Sequence, residues 1–390
     1  MSNQSVNPVM HTYGRFPITL VEGKGSYVWD DQGEKYLDYS SGIATCNLGH
    51  VPEVVEKAVQ EQLSKLWHCS NLYHIPTQEK LAEALTTNSC GDQVFFCNSG
   101  AEANEAAIKL AKKYGHEVLG QENPTIITFN NSFHGRTMAT LSATGQTKIQ
   151  DGFAPLTPGF DYLPFNDDQA LEELKKKKPV AVLLELVQGE GGVIPADVQW
   201  VKQLESICKE HGILLMIDEI QTGIGRTGKL FAYQHYGIEP DVISIAKGLG
   251  SGFPIGAIIA KEHVSNVFSP GTHGSTFGGN PIVTTAGLAT INHLTQTNVL
   301  GEANEIAEYI WAKLEQLVSD KPEVKSIRGK GLLIGLEVEG KAIDYVNKAR
   351  EDHQLLIIVA GPHIVRILPP LTTTKEEVDE FIGKINKIFQ

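Results

Sequence analysis

Short apolar runs that do not alternate with polar residues, each followed by a helical segment, constrain this chain more than any other feature. They lie at Val94 to Cys97, Ile126 to Phe129, Val180 to Glu185, Leu214 to Asp218 and Val242 to Ala246. Between them Glu102 to Tyr114 and Gln199 to His211 repeat apolar residues with helical spacing. A strand that is apolar on both faces has to be covered on both. The pattern therefore predicts an α/β fold with a large, mostly parallel sheet flanked by helices.

The flanks read differently. "YVWDDQGEKYLDY" (27 to 39) alternates around Asp31-Gln32-Gly33 and predicts a β-hairpin, and "PEVVEKAVQEQLSKL" places Val55, Val59, Leu63 and Leu66 on one helical face. After Pro281 the pattern is helical as far as Lys321, with Gly301 as the interruption. Strands are expected at Leu332 to Val338, Leu355 to Val359 and Val365 to Leu368, then a helix from Lys375 to Phe389. These imply a smaller α+β domain. The division expected is an N-terminal segment (1–50) packing with the small domain, a large domain (51–285) and a C-terminal small domain (286–390).

With 390 residues, the chain is long enough to bury a sizeable core. A net charge of -13 and the lack of a basic stripe interleaved with aromatics argue against nucleic-acid binding. The run Lys175 to Lys178 closes a predicted helix starting near Asp167, where lysines oppose the negative end of the helix dipole. Five cysteines without C-x-x-C spacing argue against a disulfide framework or a zinc site and fit a reducing compartment. No apolar stretch approaches a membrane span, and the N-terminus lacks a secretory pattern, so a cytoplasmic protein that needs neither metal nor membrane is expected.

In an open α/β sheet, ligands sit at the carboxyl ends of the strands. The strand at 94 to 97 runs into "NSGAEANEAA", a small-residue turn opening a helix, which suits a phosphate but is also ordinary architecture. The strand at 214 to 218 ends in Asp218, and the strand at 242 to 246 ends in "AKGLGSG" with Lys247. A carboxylate at a buried strand end needs a positive partner, and a structural ion pair would satisfy it. A lysine that forms a Schiff base, beside an acid that keeps a pyridine nitrogen protonated, is also what pyridoxal phosphate requires. "GIGRTG" (223 to 228) matches the dinucleotide fingerprint G-x-G-x-x-G. Asp218 and Glu219 would crowd a pyrophosphate there, and Gly237 and Pro240 cut the next helix short, so it is read as a structural loop.

Taken in order, "FFCNSGAEANEAAIKLA", "FHGRT", "LLELVQGEGG", "MIDEIQTGIGRTG", "SIAKGLGSGFPIGA" and "GSTFGGNP" resemble the class III aminotransferases, which are fold-type-I pyridoxal-phosphate enzymes. The resemblance runs from Thr12 to "VRILPPL", nearly the whole chain. It implies a homodimer with shared active sites. By this resemblance Lys247 holds the cofactor as a Schiff base, Asp218 pairs with its ring nitrogen and Gln221 touches its ring hydroxyl. Phe133 stacks on the ring, Gly100 and Ala101 give backbone N–H groups to the phosphate, and Thr276 reaches it from the partner subunit. No chemistry is assigned to His134.

For substrates, the resemblance is to the acetylornithine and ornithine branch. It implies that Arg136 binds a substrate carboxylate and that Glu190 and Arg366 form a switch. Arg366 receives the carboxylate on the reacting carbon of glutamate; when a terminal-amine donor brings none, Glu190 neutralises it. Ile43 stands where ornithine aminotransferases carry a tyrosine. "TYGRFP" and "SSGIATCNLGH" also favour the acetylornithine group, although Cys46 departs from the commoner wording. Ser275 is a candidate for the acyl end and Tyr13 for the substrate carboxylate. The implied reaction moves the terminal amino group of N2-acetylornithine to 2-oxoglutarate, in arginine synthesis. Free ornithine, succinyl-diaminopimelate and 4-aminobutyrate remain alternative donors.

Overall fold

The computed structural model describes residues 8–389. Among these, seven strands form one sheet, in the order Gln93–Cys97, Gly256–Ala260, Val242–Ile245, Leu214–Asp218, Ala181–Leu184, Ile126–Phe129 and Phe160–Leu163. All run parallel except Gly256–Ala260, which is antiparallel to both of its neighbours. The five inner strands are buried at every residue, which is why their sequences lack polar alternation.

Helices cover the sheet. Gly100–Glu117 starts at Ser99, whose hydroxyl accepts from Glu102 N, and buries Ala103, Ala106, Ala107 and Ala111, small residues that let it lie close to the strands. Val198–His211 is capped by Asp197 and stops at Gly212, whose φ of 66° is left-handed. The lysine run closes Asp168–Lys177, with Asp167 as its N-cap.

The C-terminal part carries a second sheet, ordered Val324–Lys330, Leu333–Val338, Ile364–Ile367 and Ile358–Val359. A third sheet joins the chain's two ends: Leu20–Lys24, Tyr27–Asp30 and Lys35–Asp38 form a meander, and Leu355–Leu356 pairs parallel with Lys35–Asp38. The expected strand at 355 to 359 is thus two strands serving different sheets. The expected helical region, interrupted at Gly301, instead divides into Pro281–Gln296 and Val299–Asp320, with extended Thr297 as the break. Gly301 lies inside the second helix, where a Cβ would stand 2.4 Å from Asn298 Oδ1. It makes room for that side chain and does not interrupt the helix. Among the described residues, no helix is long and apolar enough to cross a membrane.

Candidate active site

Three strand ends meet at the floor of one cavity. Gln93–Cys97 leads to Ser99, Gly100 and Ala101, Leu214–Asp218 ends on Asp218, and the turn after Val242–Ile245 presents Lys247. The cavity has a volume of about 470 Å3 and is lined by all five of these residues, together with Phe133, Arg136, Glu185, Gln221 and Thr45. Lys247 holds a left-handed φ of 41°, a strained conformation for a side-chain-bearing residue. Behind it, a Cβ on Gly248 would stand 2.1 Å from Asn47 Nδ2, so only glycine fits. Burial pushes the Lys247 ammonium down to about 8, with Glu190 opposing that shift.

Asp218 is held from three sides. Asn104 Nδ2 donates to its Oδ2 at 2.8 Å, His134 Nδ1 stands 2.8 Å from the same oxygen, and Ile220 N donates to Oδ1 at 3.0 Å. Because the carboxylate is the acceptor, His134 donates from Nδ1; its Nε2 is buried without a partner. Asn104 is fixed in turn by Ser244, whose hydroxyl donates to Asn104 Oδ1 at 2.6 Å. His134 and Asn104 therefore carry more than the sequence assigned to them. Glu185, just past Ala181–Leu184, was also missed. Burial and then the neighbouring Asp218 push its carboxyl well above the usual carboxylate range.

The charge pair lies outside the cavity lining, joined to it through Gln221. Arg366, on Ile364–Ile367, is 2% exposed, and its Nη1 donates to Glu190 Oε1 at 2.6 Å, Gly189 O at 3.0 Å and Gln221 Oε1 at 3.0 Å. Glu190 is drawn in opposite directions, burial raising its carboxyl and Arg366 lowering it, and the net result lies below the usual range. Gly189 is required here, because a Cβ would stand 2.6 Å from Gln221 Oε1. Arg136 is exposed and lies 5.6 Å over the Phe133 ring.

The remaining expected residues, like Glu190 and Arg366, lie outside this lining. Ser275 backs it, its Oγ accepting from Asn98 Nδ2 at 3.1 Å. Thr276 is exposed on the surface beside Phe277. Ile43 is half-exposed with a left-handed φ of 62°, two residues before Thr45. Tyr13 is 71% exposed, apart from the cavity.

The residues fit pyridoxal phosphate. The N-terminus of the 18-residue helix Gly100–Glu117 opens on the cavity, which Ser99, Gly100 and Ala101 line. A Cβ on Gly100 would press against Ile220 at 2.9 Å, and the lysine and the acid face the same space.

Comparisons with known proteins cover nearly the whole chain. The family model for class-III aminotransferases matches residues 9–389. The acetylornithine aminotransferase of Oceanobacillus iheyensis is 60% identical, over 97% of this chain and 95% of that protein. The N-acetylornithine aminotransferase of Stenotrophomonas maltophilia superposes with a TM-score of 0.85 at 34% identity, covering 96% of each chain. An ornithine aminotransferase from Toxoplasma gondii, solved with partial occupancy of PLP at its active site, superposes with a TM-score of 0.93 at 33% identity, covering 98% of this chain and 92% of that one.

Proposed function

Because the chain belongs to the class-III aminotransferases, a family that depends on pyridoxal phosphate, we propose that its cavity binds that cofactor and runs two half-reactions in alternation. The enzyme transfers the terminal amino group of N2-acetylornithine to 2-oxoglutarate, a step of arginine biosynthesis. The observation that carries the reading is the Glu190–Arg366 pair, in which a buried guanidinium has a carboxylate partner that a substrate can replace.

Gly100 and Ala101 would hold the cofactor phosphate, with Thr276 of a second subunit completing the site in a homodimer. Phe133 would pack against the ring. Gln221 would meet the ring hydroxyl, and Asp218, oriented by Asn104 and His134, would keep the ring nitrogen protonated. When bound, the cofactor supplies an electron sink that stabilises charge on the reacting carbon. Lys247 would hold the cofactor aldehyde, and its amine would take and return a proton at the reacting carbon of the substrate. An ammonium lowered to about 8 suits an amine that both takes and returns that proton.

Arg136 binds the carboxylate at the far end of either substrate. Glutamate brings a second carboxylate on its reacting carbon; Arg366 receives it and Glu190 withdraws. The terminal carbon of acetylornithine brings none, so Glu190 stays on Arg366 and prevents an unpaired buried charge, worth about 3–5 kcal/mol. Ile43 offers no hydroxyl to a free amine at the rim, and Ser275 stands near the acyl end. Tyr13 reaches the substrate carboxylate only if the N-terminal segment moves on assembly. The cofactor domain spans 51–285, and the small domain carrying Arg366 spans 286–390. A cytoplasmic location fits five cysteines that are all free.

Adding amines singly to purified holoprotein and following the visible spectrum tests the assignment. Glutamate and N2-acetylornithine should each convert the aldehyde form to the amine form, acetylornithine with a higher kcat/KM than ornithine. Preference for free ornithine would overturn the donor assignment.

A further inference from the structure

Glu185 takes no part in the steps above, yet it lines the cavity as a buried carboxyl among like charges. Asp218 and Glu190 both oppose its ionisation. Its partners are two backbone groups from separate loops. Phe133 N donates to Oε2 at 2.9 Å, and Gly189 N donates to Oε1 at 3.3 Å.

Each loop leads to one of the two arginines that receive substrate carboxylates. Phe133 carries Arg136 across its ring at 5.6 Å. Gly189 accepts from Arg366 Nη1 through its carbonyl, precedes Glu190, and lies hard against Gln221. A single side chain thus indexes both ends of the substrate site. From this juxtaposition, and resting on the functional reading above, we propose that Glu185 is a positioning residue that sets the separation of the Arg136 and Arg366 carboxylate receptors and so selects substrates by length.

A carboxyl group is the side chain that can do this, because both of its oxygens accept. In Glu185→Gln one oxygen becomes an NH2 group facing a backbone N–H, and one loop is released. Either release moves a receptor that glutamate uses, since glutamate occupies both. Glu185→Asp keeps two acceptors but withdraws them from both loops.

The test is steady-state and half-reaction kinetics of holoenzyme carrying Glu185→Gln or Glu185→Asp, with glutamate as the principal substrate. KM for glutamate should rise about 10-fold, the size of one lost hydrogen bond, while kcat changes little. Homologues of glutamate one methylene longer should lose less, so the length preference narrows. If Glu185→Gln does not yield soluble enzyme, Glu185→Asp carries the same expectation. A melting temperature that falls in both variants while KM for glutamate and the length preference stay at wild-type values would overturn the proposal. Wild-type inactivity towards acetylornithine would instead overturn the donor assignment, and the glutamate readout would still decide the role of Glu185.

Discussion

Two arginines are buried to nearly the same depth and do different work. Arg226, fully buried, donates from Nη1 to the carbonyls of Leu332 and Pro369 and from Nη2 to Asn47 Oδ1 at 2.7 Å. Arg366, 2% exposed, also donates to carbonyl and amide oxygens, but it has Glu190 as well. Both leave Nε without a partner. Burial lowers the Arg226 guanidinium to about 9, and no carboxylate offsets this. Its partners are main chain and one amide, which cannot leave. It rivets the "GIGRTG" loop to the C-terminal segments at Leu332 and Pro369 and to the Asn47 that packs behind Gly248. Arg366 has a carboxylate partner as well, and on the proposed reading that difference separates a fixed joint from a binding site.

Removing each arginine tests the distinction. Arg366→Leu strands Glu190 and removes the receptor for the reacting-end carboxylate. Glutamate kcat/KM should fall about 100- to 1000-fold, as expected for breaking a buried pair, while the acetylornithine half-reaction changes much less. Equal losses for both substrates would show that Arg366 is a joint like Arg226. Arg226→Ala should act on the whole molecule, lowering unfolding stability by about 3 kcal/mol through a cavity and stranded carbonyls. Both half-reactions should then drop by one common factor, so a loss confined to glutamate would break the comparison.

Lys247 sharpens the contrast, because burial brings its charge closer to neutral pH than that of Arg226. In cofactor-free protein its ammonium is lowered from 10.5 to about 8. A lowered cation destabilises the fold in full below pH 8, and the effect fades as pH rises towards 10.5. Cofactor-free Lys247→Met should therefore be more stable than wild type by about 2–3 kcal/mol at pH 7. That difference should shrink towards pH 10; a constant gap between melting curves would place its cause elsewhere.

The sheet and its catalytic edge were legible because buried strands have a strong signature. Apolar runs ending in Asp218 and Lys247 put costly groups where only ligand chemistry or an ion pair justifies them. The small-residue turn at Gly100 was readable as a phosphate site only alongside ordinary architecture, and the Glu190–Arg366 pair came with the resemblance. What was missed is non-local: His134 and Asn104 meet Asp218 from 84 and 114 positions away, and no local pattern marks such a pairing. Gly256–Ala260 escaped because glycine and alanine are weak strand formers, and pairing on both sides supplies what propensity lacks. The stretch at 355 to 359 read as one strand because apolar content does not reveal which sheet a residue joins.

The central claim is that Lys247 holds the cofactor while Asp218 faces its ring nitrogen. Borohydride treatment of holoprotein fixes a carbonyl cofactor to the nitrogen that holds it, and peptide mass spectrometry locates the adduct. The adduct should fall on the peptide containing Lys247 and be absent from Lys247→Ala protein. An adduct on another lysine, with Lys247 unmodified, would contradict the account.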